Sequence, residues 1–171
     1  MNQKYFTNPG GLCFGVSLAN ALVELGDLAT ASKAYKAYPQ HQLFDHNHTI
    51  NLGISPLLVR ELTEGRYFGK LYAPQHWIKN FGLFTRAEFK SNAEELIQII
   101  NSEFSHGNIR EIPRSVEYHF PILMFCYNPN TCARHVITST LSGSGFINDG
   151  VLVDSFPSGF NNVAGLEIHE S

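Results

Sequence analysis

Cys13-Phe14-Gly15-Val16-Ser17-Leu18-Ala19-Asn20-Ala21-Leu22-Val23-Glu24-Leu25 is the stretch that decides the fold. Phe14, Leu18, Ala21, Leu22 and Leu25 recur at helical spacing, Val16, Ala19 and Val23 widen the apolar surface, and Gly26 supplies a stop. A helix apolar around so much of its circumference must be largely buried. Its polar stripe is Ser17, Asn20 and Glu24, and one turn back from Ser17 along that stripe lies Cys13. The thiol is therefore expected to face a cleft and not the core.

Working outward, Ala29 to Tyr38 has helical composition until Pro39 interrupts it. Ser55 as cap, Pro56 at the first helical position, Leu57, Leu58 and Leu62 as apolar face and Gly65 past the end predict a short helix. Gln75 to Phe81 around Trp77 predicts a helical turn. A further helix is predicted from Ser91, where Ser91 and Glu94 make a capping box and Ala93, Leu96, Ile97, Ile100 and Phe104 line one face. After about residue 117 the pattern changes. Phe120 to Tyr127 is a continuous apolar run that fits a buried central strand, and Arg134 to Leu141 is rich in β-branched residues. Ser142-Gly143-Ser144-Gly145 offers a reversal, and Phe146-Ile147 and Val151 to Val153 return as strand before Phe156-Pro157-Ser158-Gly159 turns the chain again. Helices first and strands later predict an α+β domain, with an antiparallel sheet packed on the N-terminal helix. No repeat, linker or low-complexity segment divides residues 1–171, so one domain is expected.

Composition agrees with a closed core. Of 171 residues 43% are hydrophobic and 16% charged, and thirteen Phe and seven Tyr supply bulky filling. Twelve Lys and Arg against fifteen Asp and Glu leave a formal charge of −3, with no basic run to hold phosphates, which argues against a nucleic-acid partner. No apolar run approaches the ~20 residues of a membrane span, and Met1 to Tyr5 lacks the basic and apolar regions of a secretory signal. A cytoplasmic location is expected, with export lacking a recognisable signal as the alternative; in that case Asn47-His48-Thr49 reads as a glycosylation acceptor. Three cysteines cannot all pair within one chain, and inside a cell Cys126 and Cys132 are expected to stay reduced.

The residues that carry chemistry start at the same cysteine. A thiol becomes a good nucleophile when its pKa is lowered, and a helix N-terminus and a neighbouring imidazolium are two ways to lower it. Cys13 has the first by position, where Asn8-Pro9-Gly10-Gly11 hands over to the helix and the glycines let backbone N–H groups approach a developing oxyanion. His135, at the start of a strand, is expected to supply the second as general base. Asp154 ends a following strand nineteen residues on and is expected to orient the ring. Cys126 is assigned to core packing. His41, His46 and His48 with Asp45 match no strong zinc spacing, so no metal is expected, and Trp77 with His76 either lines a groove or anchors the surface.

Cys13 to Ala19 opening a helix, Arg134-His135-Val136-Ile137 opening a strand and Val151-Leu152-Val153-Asp154 ending another resemble the papain-fold cysteine peptidases, in the order Cys, His, Asp. The resemblance is nearest to compact bacterial members such as the double-glycine leader peptidases and the staphopains, where a helix like Ala93 to Phe104 precedes an apolar strand like Phe120 to Phe125. It covers most of the chain through short motifs. It implies a cysteine hydrolase with a Cys13–His135–Asp154 triad, no cofactor, and a peptide or protein substrate opened at a peptide or isopeptide amide. The family places a Gln about six residues before the cysteine to complete the oxyanion hole. Thr7 stands there instead, and the neighbouring Asn8 is the expected amide donor. Asp154 is followed by Ser155, not by the proline common in the leader peptidases. Deamidation or acyl transfer would use the same residues, and the missing Gln leaves open a binding module without turnover.

Overall fold

The first helix forms where the apolar spacing puts it. α1 spans Cys13–Glu24 and ends as Gly26 N–H donates to Val23 O and Asp27 N–H to Leu22 O, the paired bonds of a Schellman motif. Asp27 then accepts from Thr30 N–H and so caps α2, Leu28–Ala37, after which Pro39 sits in a 3₁₀ turn, Tyr38–Gln40. The computed structural model describes residues 4–41, 55–72, 120–128, 130–131, 133–143 and 145–171. Ser55 and Pro56 open α3, Ser55–Leu62, as the capping pattern predicts. The expected helix from Ser91, the turn around Trp77, and Asp45, His46, Asn47, His48 and Cys132 lie outside the described residues.

Among the described residues six strands form one sheet in the order β1-β6-β2-β3-β4-β5, every neighbouring pair antiparallel. They are β1 (Tyr67–Tyr72), β2 (Ile122–Tyr127), β3 (Arg134–Ser139), β4 (Phe146–Asn148), β5 (Val151–Val153) and β6 (Asn161–Glu170). The apolar run at 120–127 is indeed a central strand, with β6 on one side and β3 on the other. Alternation explains why it is apolar throughout. Leu123 and Phe125 join the cluster beneath the helices, with Leu18, Leu22, Leu58 and Leu166. Cys126 joins a second cluster with Ile137 and Phe146, onto which Met124, Val153, Phe156 and Phe160 pack. Both faces of β2 are thus covered, and neither tolerates polar side chains.

The result is an α+β domain in which the Cys13 helix rests on the C-terminal antiparallel sheet. The polar stripe of α1 is itself packed inside the fold. Ser17 and Asn20 are buried, at 2% and 1% exposed. Ser17 Oγ donates to Val136 O at 2.8 Å, and Thr138 Oγ1 returns a bond to Ser17 O at 2.7 Å. Asn20 brackets Phe6, accepting from its N–H at 2.7 Å and donating to its carbonyl at 3.0 Å. Glu24 accepts from Leu141 N–H and from the Tyr5 hydroxyl. A polar side chain in an apolar interface persists when each of its atoms finds a partner. Here the stripe is the seam that fixes α1 against β3 and the N-terminal segment.

Candidate active site

Cys13 stands at the start of α1, partly buried against the helical cluster. Val16 N–H to Leu12 O at 2.9 Å is the bond that begins the helical ladder, so the N–H groups of Cys13, Phe14 and Gly15 precede it and converge at the end of the helix that carries the thiol. The loop before the cysteine is shaped by Asn8. Its Oδ1 accepts from Gly10 N–H at 2.9 Å and from Leu12 N–H at 3.1 Å.

His135 is the second residue of β3 and lies opposite Cys126 of β2 in the ladder. Its ring is held by Asn148: Nε2 lies 2.6 Å from Asn148 Oδ1, an acceptor, so Nε2 carries the proton and Nδ1 is the nitrogen left to act as base. Asp149 Oδ2 stands 3.6 Å from Nε2, too far for a hydrogen bond to be strong but close enough for its charge to be felt. Burial pulls the imidazole pKa down. The Cys13 side chain, the hydrogen bond to Asn148 and the charges of Cys13 and Asp149 outweigh burial and push it up to about 9.

Asn148 and Asp149 come from the hairpin between β4 and β5. Asn148 pairs with Val151, which leaves a two-residue turn of Asp149 and Gly150 with both φ angles positive, +50° and +94°. An Asp-Gly turn between apolar residues is among the stronger hairpin signals in any sequence. Taken at face value, it ends β4 at Asn148, next to the strand that begins at His135, and would have found both residues.

Of the residues the sequence singles out, Cys13 acts on His135 as one of the causes that raise the imidazole pKa. Asp154 follows β5, and β4 lies between β5 and β3, so its strand is two spacings, roughly 10 Å, from the histidine strand. It is exposed, and none of the hydrogen bonds or ion pairs among the described residues involves it. Asn8 is near the site, but its Nδ2 donates to Asp149 Oδ1 at 3.1 Å. Cys126 is buried with its Sγ 3.4 Å from Met124 O, and burial, helped by the charge of Cys13, pushes its thiol pKa far up. Such a thiol stays protonated and packs. His41 pairs with Glu61, and among the described residues no group of three or more His, Cys, Asp or Glu is placed to hold a metal.

Among the described residues no helix is long and apolar enough to cross a membrane. Comparison of the chain with protein-family models, with curated proteins and with solved structures finds no match.

Proposed function

We propose that this chain is a papain-like cysteine hydrolase that opens a peptide or isopeptide amide, with Cys13 as nucleophile and His135 as general base and acid. The observation that carries this reading is the His135 ring fixed at Nε2 by Asn148 Oδ1 at 2.6 Å, on a strand against the helix that Cys13 opens, with the Cys13 side chain among the causes that raise the imidazole pKa. His135 Nδ1 takes the thiol proton, and the thiolate attacks the carbonyl carbon to form a tetrahedral oxyanion. The N–H groups at the start of α1, which precede the helical ladder, take the place of the side-chain amide absent at Thr7. The imidazolium then returns its proton to the departing amine, leaving an acyl thioester on Cys13 that water hydrolyses. Asn148 assumes the orienting role that the sequence expectation gave to Asp154: it fixes the tautomer and leaves the ring able to carry charge. A free thiol nucleophile suits a reducing compartment, in keeping with a cytoplasmic site of action.

Iodoacetamide labelling followed by peptide mass spectrometry tests the nucleophile. Cys13 should alkylate faster than Cys126 and Cys132, with a rate that falls once His135 is changed to Ala. Equal rates at all three cysteines would remove the basis for the reading. Incubation with candidate protein substrates then separates cleavage from conversion of glutamine to glutamate and from a new amide linkage, the products expected of a hydrolase, a deamidase and an acyltransferase.

A further inference from the structure

Asn8 is connected to both halves of the site through different atoms. Its Oδ1 faces two loop N–H groups, those of Gly10 and Leu12, and this orientation turns its Nδ2 to Asp149 Oδ1 at 3.1 Å. The amide orientation is set from both ends, since flipping it would oppose donor to donor on one side and acceptor to acceptor on the other. Asp149 divides its carboxylate, with Oδ1 on Asn8 and Oδ2 toward His135. The same N-terminal segment also meets the far side of the turn, because the Gly150 Cα lies close beneath the Phe6 carbonyl. That segment is itself held by Asn20 on α1 and by the Tyr35 hydroxyl, which donates to Thr7 O at 2.9 Å. A chain of contacts results, from α1 through Asn20 to Phe6, and from Asn8 through Asp149 to His135.

We infer that Asn8 is a positioning residue that ties the loop before Cys13 to the Asp149 carboxylate, so that one side chain places both the nucleophile and the charge facing His135. The inference rests on the proposed pairing of Cys13 with His135 as reactive partners. Roles around the ring divide cleanly. Asn148 takes the Nε2 proton, and Asp149, held off at 3.6 Å, acts through its charge. An exposed carboxylate at a hairpin tip would otherwise swing into water, and the bond from Asn8 keeps it turned inward. Among the described residues, the other titratable groups on the elements packed around the ring are Cys13 on α1, which raises the imidazole pKa, and Cys126, opposite His135 in the β2–β3 ladder.

NMR titration of the His135 ring reads this coupling directly, in the wild type, Asn8→Ala, Asp149→Asn and the double variant. Asp149→Asn keeps an acceptor for Asn8 but removes the charge. Asn8→Ala is expected to lower the His135 midpoint by roughly 0.5 to 1, and to lower it no further once Asp149 is Asn. A purely structural Asn8 would reduce thermal stability in both backgrounds and leave the midpoint alone. An unchanged midpoint in Asn8→Ala, or an equal decrease in both backgrounds, overturns the inference. If Asn8→Ala does not fold, Asn8→Asp combined with Asp149→Asn keeps the loop acceptors and rebuilds the bond in the reverse sense. A midpoint no higher than that of Asp149→Asn supports the inference, and a midpoint restored to the wild-type position overturns it. Since the titration needs no substrate, an inert Cys13 alongside an intact Asn8–Asp149 coupling would refute the hydrolase reading alone, while a reactive Cys13 indifferent to Asn8 would refute this inference alone.

Discussion

Asn148 and His135 meet at 2.6 Å across the gap between two neighbouring strands, the last residue of β4 against the second residue of β3. An amide oxygen at Nε2 fixes the proton there and leaves Nδ1 as the free nitrogen of the ring. Asn148→Ala is therefore expected to slow Cys13 alkylation at neutral pH by about 10-fold or more, since a freed ring spends less time in the productive orientation. Asp154→Ala, two strands over, is expected to change it by less than about 2-fold. Alkylation rates of the two variants measured side by side decide which residue orients the histidine.

His135 carries a pH dependence whose sign follows from its environment. Its pKa rises from 6.5 in a free chain to about 9 in the folded protein, so the folded state holds the proton more tightly. The stabilisation is fully present below about 6.5 and is lost as pH rises through about 9. Urea midpoints should accordingly fall between these limits in the wild type, and His135→Gln should remove this part of the slope.

The seam under α1 yields a stability prediction separate from chemistry. Asn20→Ala leaves both Phe6 N–H and Phe6 O without their side-chain partner, and the site is too buried for water to replace it readily. A loss of about 2 kcal/mol is expected, and about 1 kcal/mol for Ser17→Ala, which strips a donor from Val136 O. Thermal melts check both. A stability change within error for Asn20→Ala would show that the N-terminal segment is not anchored through it.

Helix positions were the most legible part of the fold, because turn residues and 3.6-residue periodicity are local signals: Gly26, Ser55 with Pro56, and Gly65 all mark real helix ends. The sheet was less so. β6 occupies the middle of the sheet, yet it begins with Asn161-Asn162 and carries Gly165, and its buried alternation of Ala164, Leu166 and Ile168 is interrupted enough to hide. A one-residue bulge where Phe125 faces Ala164 but Cys126 faces Asn162 shifts its period further. The polar stripe of α1 was visible, but spacing alone cannot say whether polar side chains meet water or buried carbonyls. For the site, Cys13 and His135 stand at element starts and could be found from sequence. The histidine's partners depended on recognising one two-residue turn, which splits the segment after β3 into two strands and moves Asp154 one strand farther away.

Gly150 tests how tightly that turn is tied to the rest of the site. A methyl group added there would lie 2.5 Å from the Phe6 carbonyl oxygen and 3.1 Å from the Thr7 Cα, and φ is +94°, where an L side chain is strained. Gly150→Ala must therefore push the turn off the N-terminal segment, carrying Asn148 and Asp149 with it. Gly26→Ala is the matched control: φ is +81°, but nothing lies within 4 Å of the added methyl, and it sits at the far end of α1. Both variants should lose about 1 kcal/mol or more of stability from backbone strain. Only Gly150→Ala should also slow Cys13 alkylation and lower the His135 midpoint, because only there does relief of the clash displace the groups that hold the ring. Equal alkylation rates in the two variants would mean that the hairpin tip does not govern His135.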